Sequence, residues 1–324
     1  MVLLRQQGFV LLLCAAVLLA FLWPVPASVG GAKYAGLLAD FAVALIFFLQ
    51  GLSLATKQML GGSCPLRLHL FVLGWNFILF PLLAALLSVP LSFLVGRELS
   101  MGLWMLAILP TTIASATALT VASGGAVPQA IFASIFSNIL AILIVPLLAV
   151  AYLSSASGAE VELVPVFAKL CWIVLLPLVL GQCLRRGFRR LSIAISQRTR
   201  WLPQTAILYI VYLSFAQAAA SGVLSALPAE RLIYALCAVT LLLIMASWAV
   251  WRSSKWLNLG KAERIAAFFA ASQKSLATGL PLLTTIFAAA SLSLETGWLL
   301  APLLLYHPLQ LLLGGILAPR LEAH

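Results

Sequence analysis

Residues 126–153 read AVPQAIFASIFSNILAILIVPLLAVAYL, without one charged side chain. Wound as a helix at about 1.5 Å per residue, such a run covers a hydrocarbon core of ~30 Å. In water it would have no polar stripe to turn outward. The rest of the chain repeats the pattern. Of its 324 residues, 64% are apolar and 8% charged, whereas a soluble domain is about a quarter charged. Most of the chain must therefore face lipid, where backbone N–H and C=O groups need partners inside the fold. That leaves helices or a closed barrel. Barrel strands would alternate over ~10 residues, and the runs here last about 20. The fold class is an all-α membrane protein.

Apolar runs predict spans near 8–28, 35–55, 66–89, 99–122, 126–153, 163–184, 202–224, 230–251, 263–290 and 297–318. Ten spans place both termini on one side. On that side lie Arg5, Lys57, Arg67, Arg185, Arg186, Arg189, Arg190, Arg198, Arg200, Arg252, Lys255, Lys261, Arg264 and Arg320, while the opposite loops hold Lys33, Arg97 and Arg231. The asymmetry predicts cytoplasmic termini in a bacterial inner membrane. It also accounts for the +11 net charge as orientation in the bilayer, so nucleic acid is not an expected partner; the lipid bilayer is. Arg5, the apolar run Phe9 to Leu22 and Val25-Pro26-Ala27 imitate a cleaved signal, but cleavage would spoil the charge alternation. Cys14, Cys64, Cys171, Cys183 and Cys237 lack metal-ligand spacing and read as small buried residues. No G-x-x-x-x-G-K-[ST] phosphate loop and no H-E-x-x-H are present. His69, His307 and His324 are scattered, so neither an enzyme nor a bound cofactor is expected.

Five plus five spans suggest two inverted repeats, 1–157 and 158–324, the plan of many secondary transporters, with binding where discontinuous helices meet. Pro110 interrupts the fourth span beside Thr112, Ser115 and Thr117. Gly279 and Pro281 interrupt the ninth beside Gln273, Lys274 and Ser275. Proline and glycine free backbone groups for a ligand. The fifth span carries Ser134, Ser137 and Asn138; the tenth carries His307 and Gln310 at the i, i+3 spacing of the two serines. Any one hydroxyl here is ordinary packing material. Lys274 is different. It lies roughly 15 Å along a helix from Arg264, near mid-bilayer, where its charge costs about 2.5–3.5 kcal/mol or more. A partner, a water-filled cavity, an anionic ligand or loss of its proton is expected to compensate it. Lys169 also falls inside a span, and Asp40 reads as hydrated near the outer face.

The segments Phe47-Phe48-Leu49-Gln50-Gly51, Arg67-Leu68-His69-Leu70, Leu109-Pro110 with its Ser/Thr run, Lys274-Ser275-Leu276 with Gly279 and Pro281, and Tyr306-His307-Pro308-Leu309-Gln310 resemble the bile acid:sodium symporter superfamily, in its branch related to solute carrier family 10 member 7. The resemblance runs over nearly the whole chain. It implies a panel domain of spans one, two, six and seven, and a core domain of spans three to five and eight to ten, with spans four and nine broken and crossing. It implies an organic anion substrate and two sodium ions behind the crossing. Asn76, Ser115, Ser134 and Gln273 match sodium ligands of the family. Phe269 stands where a carboxylate is expected, and the crossing asparagines appear as Ala116 and Lys274. A dehydrated sodium ion ordinarily takes a negative oxygen, so sodium coupling is doubtful. The Lys274 amine would replace the ion, either carrying a proton or attracting an anion. The expected function is secondary transport of a small or amphipathic organic anion, with Na+ or H+ as the candidate coupling ion. A sodium-coupled symporter and a non-transporting regulator that keeps the fold are the alternatives.

Overall fold

The computed structural model describes residues 2–24, 32–53, 62–157, 162–199, 201–220, 229–290 and 296–323. The signal-like Val25-Pro26-Ala27, Lys57 and Arg200 lie outside them. Among the described residues the chain is all helix and turn, with no strand. In chain order the helices are α1 (Val2–Leu22), α2 (Ala32–Ser53), α3 (Leu66–Gly74), α4 (Phe80–Val95), α5 (Arg97–Ala107), α6 (Ile113–Ala122), α7 (Val127–Ser157), α8 (Leu163–Leu170), α9 (Leu176–Gly187), α10 (Arg189–Arg198), α11 (Leu202–Ala220), α12 (Ala229–Ser253), α13 (Lys261–Ser272), α14 (Leu276–Ala290) and α15 (Thr296–Ala323). One turn of π-helix joins α3 to α4 (Trp75–Leu79) and another joins α8 to α9 (Cys171–Leu175).

Six described stretches are long and apolar enough to cross a membrane: Gly36–Ser53, Leu66–Ser88, Val127–Ser155, Val164–Gly187, Glu230–Leu257 and Thr296–Leu321. The chain is an integral membrane protein. Leu70, Leu82, Leu143, Trp172 and Ile244 turn outward from these stretches, as lipid-facing side chains must when no hydrophobic drive separates them from their solvent. The five cysteines are free and exposed, which corrects the buried reading. They sit on outward-facing positions, where a small thiol meets no steric demand.

The helices form two compact units. One comprises Met1–Leu54, Val150–Pro228 and Leu280–Trp298. In it α1 packs on α11, and α2 packs on α9, α10 and α11. Glycine permits the α2–α9 contact. A Cβ on Gly51 would lie 2.3 Å from the Leu178 carbonyl oxygen, and one on Gly181 would lie 2.3 Å from that of Phe48. The close approach lets Gln182 Nε2 donate to the Gly51 carbonyl at 2.6 Å, and Arg185 to that of Leu52. Small residues that bring backbones together are how membrane helices gain packing energy.

The other unit comprises Ala55–Ala149, Ala229–Gly279 and Leu299–His324. Its α13 is buried along its length from Ile265 to Ser272 and contacts α3, α6 and α12. Leu68, Val72, Trp75, Ala116, Phe269 and Ala270 belong to the apolar cluster around it. His69, within one of the resemblance-bearing segments, is buried, donates from Nε2 to the Gly62 carbonyl at 2.8 Å, and lies with its ring 4.4 Å from that of Phe132 at a tilt of 56°. Its role there is structural.

Candidate functional site

Two helix breaks meet in this second unit. Helix α5 ends at Ala107 and α6 begins at Ile113. The reason is local, since Pro110 has no N–H and disfavours helical geometry in Leu109 before it. Helix α13 ends at Ser272, and α14 begins at Leu276. This second break falls at Gln273–Ser275, upstream of the Gly279 and Pro281 at which the sequence places it. Ser275 is the cause, because its hydroxyl accepts the Thr278 N–H at 3.1 Å, an N-cap that restarts the helix. Pro281 sits inside α14. Gly279 serves packing instead: a Cβ there would lie 2.4 Å from Leu109 Cδ1.

The breaks expose backbone groups that a buried site must pair. The Ser275 N–H donates to the Pro110 carbonyl at 2.8 Å, linking one break to the other. The Lys274 N–H donates to Gln310 Oε1 at 2.7 Å, and Gln310 Nε2 returns a bond to the Lys274 carbonyl at 2.8 Å. Tyr306 donates its hydroxyl to the Ser272 carbonyl at 2.8 Å. Asn138 Nδ2 donates to the carbonyls of Thr111 at 2.7 Å and Ser134 at 2.8 Å, and its Oδ1 accepts from Thr278 Oγ1 at 2.6 Å. One amide thus holds an edge of each break.

Lys274 occupies the centre with 0% of its surface exposed. Its Nζ donates to the main-chain oxygens of Ala107 at 2.7 Å, Leu109 at 2.9 Å and Asn76 at 3.2 Å, which matches the three donors of an ammonium group. The nitrogen also stands 4.2 Å from the centre of the Phe80 ring, within cation–π range. Among the described residues none of its hydrogen-bond partners is a carboxylate.

Each acceptor is available for a stated reason. Ala107 is the last residue of α5, so its carbonyl is one of the orphans of a helix end. Leu109 lies within the break. Asn76 lies in the π turn, where the Phe80 N–H bonds to Trp75 rather than to Asn76. In π register the next donor to Asn76 would come from residue 81, which is proline. Its carbonyl is therefore left without a helical donor, as commonly happens where π turns mark a functional position.

Of the sequence-predicted residues, the structure brings Gln273, Lys274, Ser275, Asn76, Ser115, Ser137, Asn138, His307 and Gln310 into one hydrogen-bonded network. Ser115 Oγ donates to Gln273 Oε1 at 3.2 Å, and Gln273 Nε2 to the Gln310 carbonyl at 3.4 Å. Asn76 Nδ2 donates to Ser137 Oγ at 3.2 Å and to the Ala270 carbonyl at 3.3 Å. His307 Nδ1 lies 3.1 Å from Gln310 Nε2. Thr112 precedes α6. The Ser134 and Thr117 hydroxyls, with that of Thr111, are buried without a hydrogen-bond partner among the described residues. Phe80 and Thr278 join the site although sequence reasoning passes over them; Asn76 followed by Pro81 five residues later is the one legible clue to the freed carbonyl.

The family's sodium donors fit poorly here. Phe269, at the carboxylate position, is fully buried against Phe268 and belongs to the apolar cluster with Ala116. The Ser115 hydroxyl and the Asn76 amide are engaged with neighbours, and an amine sits among the carbonyls.

Two broken helices joined at a polar centre in a helical membrane chain are an arrangement found in many membrane transporters. More narrowly, the chain belongs to the SBF-like CPA transporter family, whose model matches residues 7–323; it is a family of the bile acid:sodium symporter type. The chain is 32% identical to Uncharacterized protein PA2026 of Pseudomonas aeruginosa, over 97% of this chain and 92% of that protein. It is 31% identical to the Putative symporter YfeH of Escherichia coli, over 96% and 92%. It is 31% identical to Sodium/bile acid cotransporter 7 of Danio rerio, over 98% and 94%.

Proposed function

We propose that this protein is a secondary active transporter of a small or amphipathic organic anion, working by alternating access, with the Lys274 ammonium in place of a coupling cation. Ten spans in two inverted repeats, with both termini cytoplasmic in a bacterial inner membrane, complete the reading. The observation that carries it is the cradle of Ala107, Leu109 and Asn76 carbonyls around Lys274 Nζ. Carbonyl oxygens freed by broken helices are the usual ligands of a coupling ion. Here a tethered amine takes them, so the group that braces the crossing stays with the protein and only its proton can leave. Transport is then proton-coupled or uncoupled, and sodium has no role.

Sodium-coupled symport is the second reading, favoured by the names of relatives such as Sodium/bile acid cotransporter 7 of Danio rerio. The two separate in one experiment. Thermal unfolding of the detergent-purified protein is followed while sodium replaces choline at constant ionic strength. A ligand of the native state raises its stability by mass action. The unfolding temperature is expected to stay unchanged. A saturating, sodium-specific rise would overturn the tethered-cation reading and support symport with sodium. Uptake into liposomes with and without an imposed pH gradient then distinguishes proton-coupled from uncoupled transport.

A further inference from the structure

A pair of opposite charges inside the apolar spans has no place in the Lys274 network. Asp40 on α2 and Lys169 on α8 approach to 3.5 Å, with 37% and 26% of their side chains exposed. They open onto a cavity of about 310 Å³ whose lining residues all belong to the first compact unit. This volume is at the low end of small-molecule pockets, so the cavity suits a compact solute. Ser214, Gln217, Thr284 and Thr285 also line it.

The hydroxyls have a fixed polarity. Ser214 Oγ donates to the Ile210 carbonyl at 2.8 Å, Thr285 Oγ1 to that of Pro281 at 2.8 Å, and Thr284 Oγ1 to those of Leu280 and Pro281 at 3.1 and 3.0 Å. A hydroxyl has one hydrogen, and in each case the helix backbone takes it. What remains for a ligand are lone pairs. The wall thus offers acceptors from these hydroxyls and from Asp40, charged donors from Lys169, and one amide, that of Gln217, that can do either.

We propose that this cavity binds a zwitterion, a small organic solute carrying an ammonium group and an acidic group. The ammonium inserts against Asp40 and the acceptor hydroxyls, and the carboxylate or sulfonate pairs with Lys169. Charge balance decides the class. A simple anion taking Lys169 leaves Asp40 without its partner, and a simple cation does the reverse. A ligand that covers one of these half-exposed charges while leaving it unpaired gives up hydration without a counter-charge in return. A zwitterion replaces the direct ion pair with two pairs and leaves neither residue alone. That the bound solute is the transported one rests on the transporter reading and narrows its organic anion to those that also bear an ammonium; binding itself does not depend on it.

The test uses the full chain in detergent, with thermal unfolding followed at constant ionic strength. The probes are three zwitterions, β-alanine, γ-aminobutyrate and taurine, against propionate and propylammonium. At least one zwitterion is expected to raise the unfolding temperature saturably, with propionate and propylammonium needing about tenfold higher concentration or more. The paired variant Asp40→Asn/Lys169→Gln removes both charges together, so it is expected to fold like the parent and lose the response. Equal stabilisation by propionate, or no shift with any of the three zwitterions, would overturn the proposal, as would an undiminished response in the paired variant. Uptake of the labelled stabilising zwitterion into liposomes is read separately. Binding without flux would leave the cavity assigned and separate it from transport, whereas flux of a simple anion without zwitterion binding would support the transporter reading and overturn the site.

Discussion

Lys274 and Lys169 are the same side chain in apolar surroundings, accommodated by opposite means. Around Lys274 the fold supplies no formal counter-charge. It supplies three peptide carbonyls that a helix end, a proline break and a π turn have deprived of donors, with the Phe80 ring beneath. Lys169 instead faces the carboxylate of Asp40 across 3.5 Å at the wall of a cavity. The first arrangement is closed, since every donor is taken and no surface is exposed. The second is open, and a solute with its own charges can enter it. Carbonyl dipoles built into the backbone hold a tethered amine out of exchange, and a side-chain ion pair at a cavity wall leaves its charges open to a solute.

The comparison breaks most directly at Lys274. Lys274→Met leaves the cradle carbonyls buried and unpaired, and at about 1–3 kcal/mol for each orphaned group the expected loss is about 3 kcal/mol or more. Thermal unfolding in detergent reads it, with loss of the folded detergent-purified protein as the extreme. A Lys274→Met protein as stable as the parent would end the argument that the cradle holds a charge. Phe80→Leu follows, at about 2 kcal/mol from lost packing and lost cation–π attraction. In a Lys274→Met background it is expected to cost less, because the electrostatic part is already gone.

Lys169→Met is expected to cost about 1 kcal/mol or less, because its pair is partly exposed and screened. Adding Asp40→Asn to it recovers part of that loss by removing the stranded carboxylate. Equal losses at the two lysines would show that the cavity pair is as closed as the cradle. The smallest effect is that of exchanging choline for sodium, which is expected to leave the parent's unfolding temperature unchanged.

Much of this was legible before any coordinates. Lys274, Gln273, Asn76, Ser115, Asn138 and Gln310 stand out as polar residues within apolar runs, and the structure joins them in one network. Other parts were not. The second break sits at Gln273–Ser275 because Ser275 caps α14, a signal weaker to the eye than Gly279 and Pro281. Gly279 answers to the Leu109 side chain, a neighbour far away in sequence. Asp40 and Lys169 each looked like a lone charge, since nothing local says that they meet. The four helical cysteines are exposed where the sequence reads them as buried, because outward and inward positions of an apolar helix have the same composition.

The sequence by itself determined the solvent and therefore the secondary structure. A chain 64% apolar and 8% charged must face lipid, and lipid tolerates no unpaired backbone, so the long apolar runs are helices. It also determined that Lys274 needs compensation, because a charge in an apolar run is costly wherever the chain goes. Tertiary structure alone decided how that compensation is made. The carbonyls that hold Lys274 come from Asn76, Ala107 and Leu109, 198, 167 and 165 residues away. Which carbonyls are free depends on where hydrogen-bond ladders break, and which of them face one amine depends on how helices pack. Neither has a local period in the sequence.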